Sequence, residues 1–229
     1  MDDLGDLFPL VLRQKTSNLV ALGGDLLPDR LLAAYKKGIF PWYSEDEPVL
    51  WWSPDPRFVL FPSELRVSHS MKPLLKKRRF RVTVDTQFAT VIVECARIKR
   101  HGQFGTWITS DMLEAYIRLH NLGFAHSVEV WDGDALVGGL YGLGLGRVFF
   151  GESMFARASN ASKYGFITLV QWLESRSFVL IDCQQETEHL GSLGARPIPR
   201  SEFRQLLDRY VQPETESGGW TNNFEEWQL

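Results

Sequence analysis

Two carboxylates stand where a folded chain rarely leaves them unattended. Asp182 closes the apolar run Phe178-Val179-Leu180-Ile181, and Glu152 follows Val148-Phe149-Phe150-Gly151. Charged side chains seldom enter such strands unless they are paired or functional. Side chains alternate along a strand, so Asp182 and Gln184 share one face and can act together on one substrate group, while Cys183 faces the other way as inert core. Orientation or deprotonation of a nucleophile is the chemistry that such a pair offers. The structural alternative is a buried Asp held by backbone donors or a cation, and a salt bridge for Glu152. A Cys–His nucleophile is a poor fit, since distant His189 is its one candidate base. No Cys/His cluster has zinc-ligand spacing, so no metal is expected.

Two further groups suggest a nucleic acid. Lys72, Lys76, Lys77, Arg78, Arg79 and Arg81 fall within ten positions of a chain whose formal net charge is −3. Such a run can hold phosphates or form a solvated face. Trp42, Tyr43, Trp51 and Trp52 lie in a Pro-rich stretch, with prolines at 41, 48, 54 and 56, and Trp107 follows later in loop-like sequence. An exposed ring can stack on a base for about 1–3 kcal/mol, whereas a buried one is ordinary core. Trp42 and Trp107 are the better stacking candidates, each beside Gly, Pro or Thr in loop-like sequence. Gly142-x-Gly144-x-Gly146 reads as a tight hairpin, since no helix opens after it as a phosphate cradle requires.

The elements that must position these residues follow from pattern. Pro28 opens a helix over 29–37 that Gly38 ends. The prolines make 38–57 an irregular surface of packed loops. Strands follow at 58–61 and 81–84, then helices at 87–97 and 110–122, the latter with Ser110 or Asp111 as N-cap. A hairpin turns through Asp132-Gly133-Asp134. A strand at 147–152, a helix at 162–175 with a good cap in Asn160-Ala161-Ser162-Lys163, a strand at 178–184 and a helix at 201–210 complete the chain. Phe166, Leu169, Val170 and Leu173 share one helix face, as core or as the wall of an apolar pocket. The order hairpin, strand, helix, strand, helix fits an α+β domain of the GNAT acyltransferase type, but order alone is weak evidence.

Bulk properties narrow the class. The 229 residues are 44% hydrophobic and 23% charged, as in soluble globular proteins. The balance of charge argues against coating nucleic acid through bulk attraction. Two isolated cysteines point to a reducing compartment. Met1 to Asp6 lacks the basic start of a signal peptide, and no apolar stretch approaches membrane-spanning length. A cytoplasmic protein without membrane contact is expected, and a monomer, since no heptad is visible.

Several ordered motifs together strongly resemble the bacterial leucyl/phenylalanyl-tRNA–protein transferases. They are Leu22-Gly23-Gly24-Asp25-Leu26, Gly38-Ile39-Phe40-Pro41-Trp42, Leu50-Trp51-Trp52-Ser53-Pro54-Asp55-Pro56-Arg57, Thr106-Trp107-Ile108, Ala125-His126-Ser127-Val128-Glu129, Leu136-Val137-Gly138-Gly139, Gly151-Glu152-Ser153-Met154-Phe155, Asn160-Ala161-Ser162-Lys163 and Leu180-Ile181-Asp182-Cys183-Gln184. The resemblance implies an α+β chain with a small N-terminal α/β domain over 1–100. A GNAT-like acyltransferase domain over 101–229 would follow, its mixed, largely antiparallel sheet flanked by helices. It implies no coenzyme A and no other cofactor. Its partners would be aminoacyl-tRNA carrying Leu, Phe or, less readily, Met, and acceptor proteins beginning with Arg or Lys, whose products enter the N-degron pathway. By carry-over, Trp42 and Trp107 contact the terminal adenosine and Tyr116 fixes the aminoacyl end. Glu152 orients the substrate, and Asp182 with Gln184 serves the reaction centre. Met154 and Ile181 border the side-chain pocket, with Leu140, Phe166, Leu169 and Leu173 filling it. Lys72, Lys76, Lys77, Arg78 and Arg79 hold the acceptor stem. Residues 185–188 and the tail after 211 match no motif. A coenzyme A-dependent acetyltransferase and a non-catalytic RNA- or carbohydrate-binding module are the competing readings. Acetyl transfer without tRNA distinguishes the first, and the module has no use for Asp182.

Overall fold

A computed structural model describes residues 7, 8, 10, 11, 18–98, 108–211 and 220–228. The strands are β1 (Leu10–Val11), β2 (Leu19–Leu22), β3 (Phe40–Pro41), β4 (Leu50–Trp52), β5 (Arg57–Leu60), β6 (Arg81–Val84), β7 (Ala125–Asp132), β8 (Ala135–Leu145), β9 (Val148–Ala156), β10 (Leu180–Gln184) and β11 (Arg196–Ile198). The helices are α1 (Pro28–Lys36), α2 (Met71–Lys76), α3 (Phe88–Arg97), α4 (Ser110–Asn121), α5 (Ala161–Ser175), α6 (Glu188–Ser192), α7 (Arg200–Tyr210) and α8 (Thr221–Gln228). The fold is mixed α+β. None of the helices described is long and apolar enough to cross a membrane.

Two sheets form. The smaller has the order β1-β2-β4-β3, and the larger β11-β5-β10-β9-β8-β7-β6. Within the larger sheet β9 and β10 run parallel and the other neighbours antiparallel. It takes β5 and β6 from residues before 100, so the chain up to that point serves both sheets.

Period-two alternation divides the core. Tyr141, Phe150 and Leu180 pack with Tyr35, Phe88, Val91, Met112 and Phe203, from α1, α3, α4 and α7. Their strand neighbours Leu140, Phe149 and Ile181 pack on the other face against Phe166, Leu169, Val170 and Leu173 of α5. Helices are thereby pressed onto both faces of a sheet whose central strands carry apolar residues on each side, as a strand covered on both sides requires.

Residues 38–57 are more regular than their prolines suggest. β3 and β4 pair antiparallel, with Phe40 opposite Trp52 and Pro41 opposite Trp51. The proline is tolerated because β3 is the sheet's edge strand, where a missing N–H interrupts no ladder on its outer side. Indole donors then fix the segment: Trp51 Nε1 donates to Gly23 O at 2.8 Å and Trp52 Nε1 to Trp42 O at 2.7 Å. Two helix starts also differ from expectation. Thr109, not Ser110 or Asp111, caps α4, its hydroxyl accepting from Met112 N at 3.3 Å. Asn160 precedes α5 in the left-handed region (φ 65°) and makes no side-chain cap bond.

Candidate active site

The parallel pair β9 and β10 creates the site by coming apart. Their register runs Leu180↔Val148, Ile181↔Phe149 and Asp182↔Phe150, and pairing stops there. Beyond it β9 stays with β8, Gly142 facing Gly151 and Leu140 facing Met154, while Gln184 of β10 faces Phe58 of β5. Gln184 adopts φ 61°, and the β10–β5 register shifts between Asp182 and Gln184. Two strands diverging inside one sheet leave a gap that side chains alone must line. A cavity of about 460 Å³ occupies it.

One side of this cavity is apolar. Leu140, Phe149, Met154, Phe166, Ile181 and Leu190 line it. Leu169 and Leu173, expected beside them, are fully buried in the core of α5 and do not reach the wall. The α5 stripe is therefore mostly core, with Phe166 its one member at the cavity. Trp42 and Phe40 stand on the wall, and Trp42 packs against Trp52 at 5.8 Å between ring centroids. Trp51, by contrast, is wholly buried. Trp107 lies outside the described residues.

The other side is a polar network. Glu152 Oε1 accepts from Tyr35 Oη at 2.6 Å and from Gln184 Nε2 at 2.9 Å, and its Oε2 accepts from Tyr116 Oη at 3.1 Å. The two phenol oxygens also contact each other. Burial raises the Glu152 carboxyl to about 7. The tyrosine hydrogen bonds pull against that rise, as does Arg57, whereas the negative Asp182 adds to it. Tyr35 and Tyr116 are pushed well above the ordinary phenol range, by burial first and then by Glu152. Tyr116 thus meets the cavity through Glu152 rather than on its wall.

Asp182 is completely buried and gripped by an arginine. Arg57 Nε reaches Oδ1 at 2.7 Å and Arg57 Nη2 reaches Oδ2 at 2.6 Å, a bidentate pair of a type that fixes carboxylate orientation. Gln184 N donates to the same Oδ1 at 2.9 Å. Arg57 also donates to Gly38 O at 3.2 Å and lies between the rings of Phe40 and Phe203, at 4.8 and 4.7 Å from their centroids. The arginine in β5, the carboxylate in β10 and the aromatic of β3 are thereby one unit. Cys183 packs on the α5 side of β10, and burial raises its thiol, with Asp182 adding to the effect; a thiol held protonated is no nucleophile.

The sequence brought Asp182, Gln184 and Glu152 forward, and the structure gathers all three at one cavity. It missed Tyr35, which reads as one more apolar position on the buried face of α1. It also missed Arg57 as a partner. A cation ahead of Phe-Val-Leu was the available signal, of the same kind that singled out Asp182. The basic run occupies α2 and the segment up to β6, with Lys72, Lys76, Lys77 and Arg78 exposed. Arg79 pairs with Asp132 at 2.6 Å, and Phe80 packs edge-on against Tyr164 in the first turn of α5, close in the chain to Ser162 on the cavity wall.

Two family models match the chain. Leucyl/phenylalanyl-tRNA protein transferase matches residues 59–208. The N-terminal domain of the same family matches residues 24–55. Three proteins named leucyl/phenylalanyl-tRNA–protein transferase align over most of their length. That of Pseudomonas fluorescens (strain Pf0-1) is 60% identical over 195 residues, 85% of this chain and 86% of the relative. That of Anaeromyxobacter dehalogenans (strain 2CP-C) is 53% identical over 213 residues, 93% and 91% respectively. That of Myxococcus xanthus (strain DK1622) is 53% identical over 220 residues, 96% and 94%. With a cavity that pairs an apolar wall with a carboxylate network, and with family motifs spanning both sheets, the chain belongs to the leucyl/phenylalanyl-tRNA–protein transferase family.

Proposed function

We propose that the protein transfers Leu or Phe, and less readily Met, from aminoacyl-tRNA to the α-amine of proteins beginning with Arg or Lys. The product would be a destabilising N-terminus for the N-degron pathway. The observation that carries this reading is the cavity between β9 and β10, whose apolar wall suits an unbranched-β side chain and whose polar wall suits an ester and an amine. The domain around β7 to α7 is GNAT-like in this reading. The protein works as a monomer in the cytoplasm without a cofactor.

The ester is an activated acyl donor, and an unperturbed α-amine titrates at about 7.7–8.0, so a usable fraction of the amine is neutral near pH 7.5. Alignment is the main demand, and positioning alone is worth roughly 7–11 kcal/mol. Both Asp182 oxygens are engaged by Arg57, which favours an orienting role over proton abstraction: Asp182 fixes the backbone of Gln184, and Gln184 with Glu152 faces the reacting groups. Trp42 supports the terminal adenosine, together with Trp107, and the basic run holds the acceptor stem.

Labelled Phe-tRNA, offered with a reporter beginning with Arg and one beginning with Ala, tests the reading. Label should appear on the first reporter only. Label on neither, with acetyl-coenzyme A consumed instead, would replace it with the acetyltransferase reading.

A further inference from the structure

Two rings fill the face of β8 that its glycines leave bare. Leu140, Gly142 and Gly144 alternate onto the α5 side of the sheet, and Leu140 is part of the cavity wall. A side chain's first carbon on Gly142 would stand 2.6 Å from Cζ of Phe149, and one on Gly144 would stand 2.6 Å from Cζ2 of Trp220. Carbon atoms in contact keep roughly 3.5–4.0 Å, so each glycine makes room for one ring. Phe149 is paired opposite Gly144, yet its ring tip lies over Gly142, two residues nearer Leu140. Trp220 holds the space over Gly144 that Phe149 would otherwise take. Its ring centroid is 6.1 Å from that of Phe149, and other rings clamp it: His126 stacks on it at 3.5 Å, and Trp172 and Phe178 pack at 4.9 and 5.8 Å. Its backbone is pinned as well, Trp220 N donating to Asp85 Oδ2 at 2.9 Å and Thr221 Oγ1 to Val84 O at 3.0 Å. Phe149 belongs to the cavity wall, with its β10 partner Ile181 on one side and Leu140 of β8 on the other, both wall residues too.

We propose that Trp220 is a positioning residue for side-chain selection: by occupying the space over Gly144 it holds the Phe149 ring toward Leu140 and so sets the depth of the apolar end of the cavity. Trp220 is not itself one of the wall residues and acts through Phe149. Without the indole, the Phe149 ring is free to swing back over Gly144, and the apolar end deepens. A deeper end leaves a void around Leu that Phe still fills, so selection moves toward the larger side chain. The element at the C-terminal end of the chain thereby takes part in substrate choice. This assignment rests on the transferase reading above.

The test uses the full-length protein, an Arg-initiated reporter and one tRNA body charged with Leu or with Phe. It reads the ratio of kcat/KM for Leu to that for Phe in each preparation. A partly unfolded preparation loses both rates together, so lost stability alone leaves the ratio unmoved. Trp220→Ala should lower the ratio by about tenfold, the low end of what one methylene is worth in an apolar pocket. Trp220→Phe, which keeps a ring over Gly144, should stay close to the parent. In a Phe149→Leu background no ring remains to swing, so Trp220→Ala should shift the ratio no further there. A parental ratio in Trp220→Ala overturns the proposal. So does a ratio as low in Trp220→Phe as in Trp220→Ala, or an undiminished further shift in the Phe149→Leu background. If Trp220→Ala does not fold, Trp220→Leu, which keeps apolar bulk without the ring, decides by the same comparisons. A parent protein that transfers neither amino acid fails the transferase reading itself, and this proposal with it.

Discussion

Three oxygen–oxygen contacts join Glu152, Tyr35 and Tyr116, and two phenols supply two protons for them. Burial raises the Glu152 carboxyl from 4.5 to about 7, and once protonated it donates to one of the two phenols from which the carboxylate accepts, that phenol then donating to the other. The folded protein then holds a proton that the unfolded chain releases near 4.5, so stability falls as pH rises from about 4.5 to 7 and levels off above. A shift of this size corresponds to something on the order of 3 kcal/mol. Glu152→Gln removes the titration, and its thermal midpoint plotted against pH should run flatter than the parent's across that window; parallel curves would exclude a buried, neutral Glu152. Asp182→Asn belongs to the same scale. It keeps the shape but weakens the hold on Arg57, and steady-state assays should show turnover down by about 10²-fold or more with little change in KM. Both carboxylates were legible in the sequence because each ends an apolar run. Tyr35 was not, because a tyrosine on a buried helix face looks the same whether it serves a site or merely packs.

Among the elements, the divergence of β9 from β10 makes the cavity, and Arg57 ties the diverging strand to β5 and to Phe40 of β3. Removing one member of a fully buried ion pair costs about 3–5 kcal/mol, because the other is left uncompensated. Chemical denaturation of Arg57→Ala should show that loss. Arg57→Met with Asp182→Leu should recover most of it while transfer stays low, since packing is restored and the orientation of Gln184 is not. Equal activity in the double variant would mean that the pair has no part in transfer. Most of the larger sheet was readable, since β7 to β10 carry apolar periodicity and the turn Asp132-Gly133-Asp134 marks the hairpin. The small sheet was not. Its strands have two to four residues, too few to show a period, and an edge strand hides its identity behind Pro41. The divergence itself was invisible, because pairing between strands that a whole helix separates in the chain leaves no local signal.

At the scale of the whole molecule, an acidic chain presents one concentrated basic face that abuts the first turn of α5, close to the cavity wall. Replacing Lys72, Lys76 and Lys77 by Ala should raise KM for aminoacyl-tRNA with turnover at saturation preserved. The salt dependence of binding should become shallower by roughly 0.7–0.9 in log–log slope for each phosphate that a lysine no longer neutralises. An unchanged slope would move the tRNA to another face. The account's central claim is that the apolar wall between the strands selects the transferred side chain. Its most direct test charges one tRNA body with Leu, Phe, Met or Val and measures kcat/KM for each on the same Arg-initiated acceptor. Leu and Phe should lead and Met follow, with β-branched Val at least about tenfold behind, the discrimination an apolar pocket can deliver. Val transferred as efficiently as Leu would contradict the account.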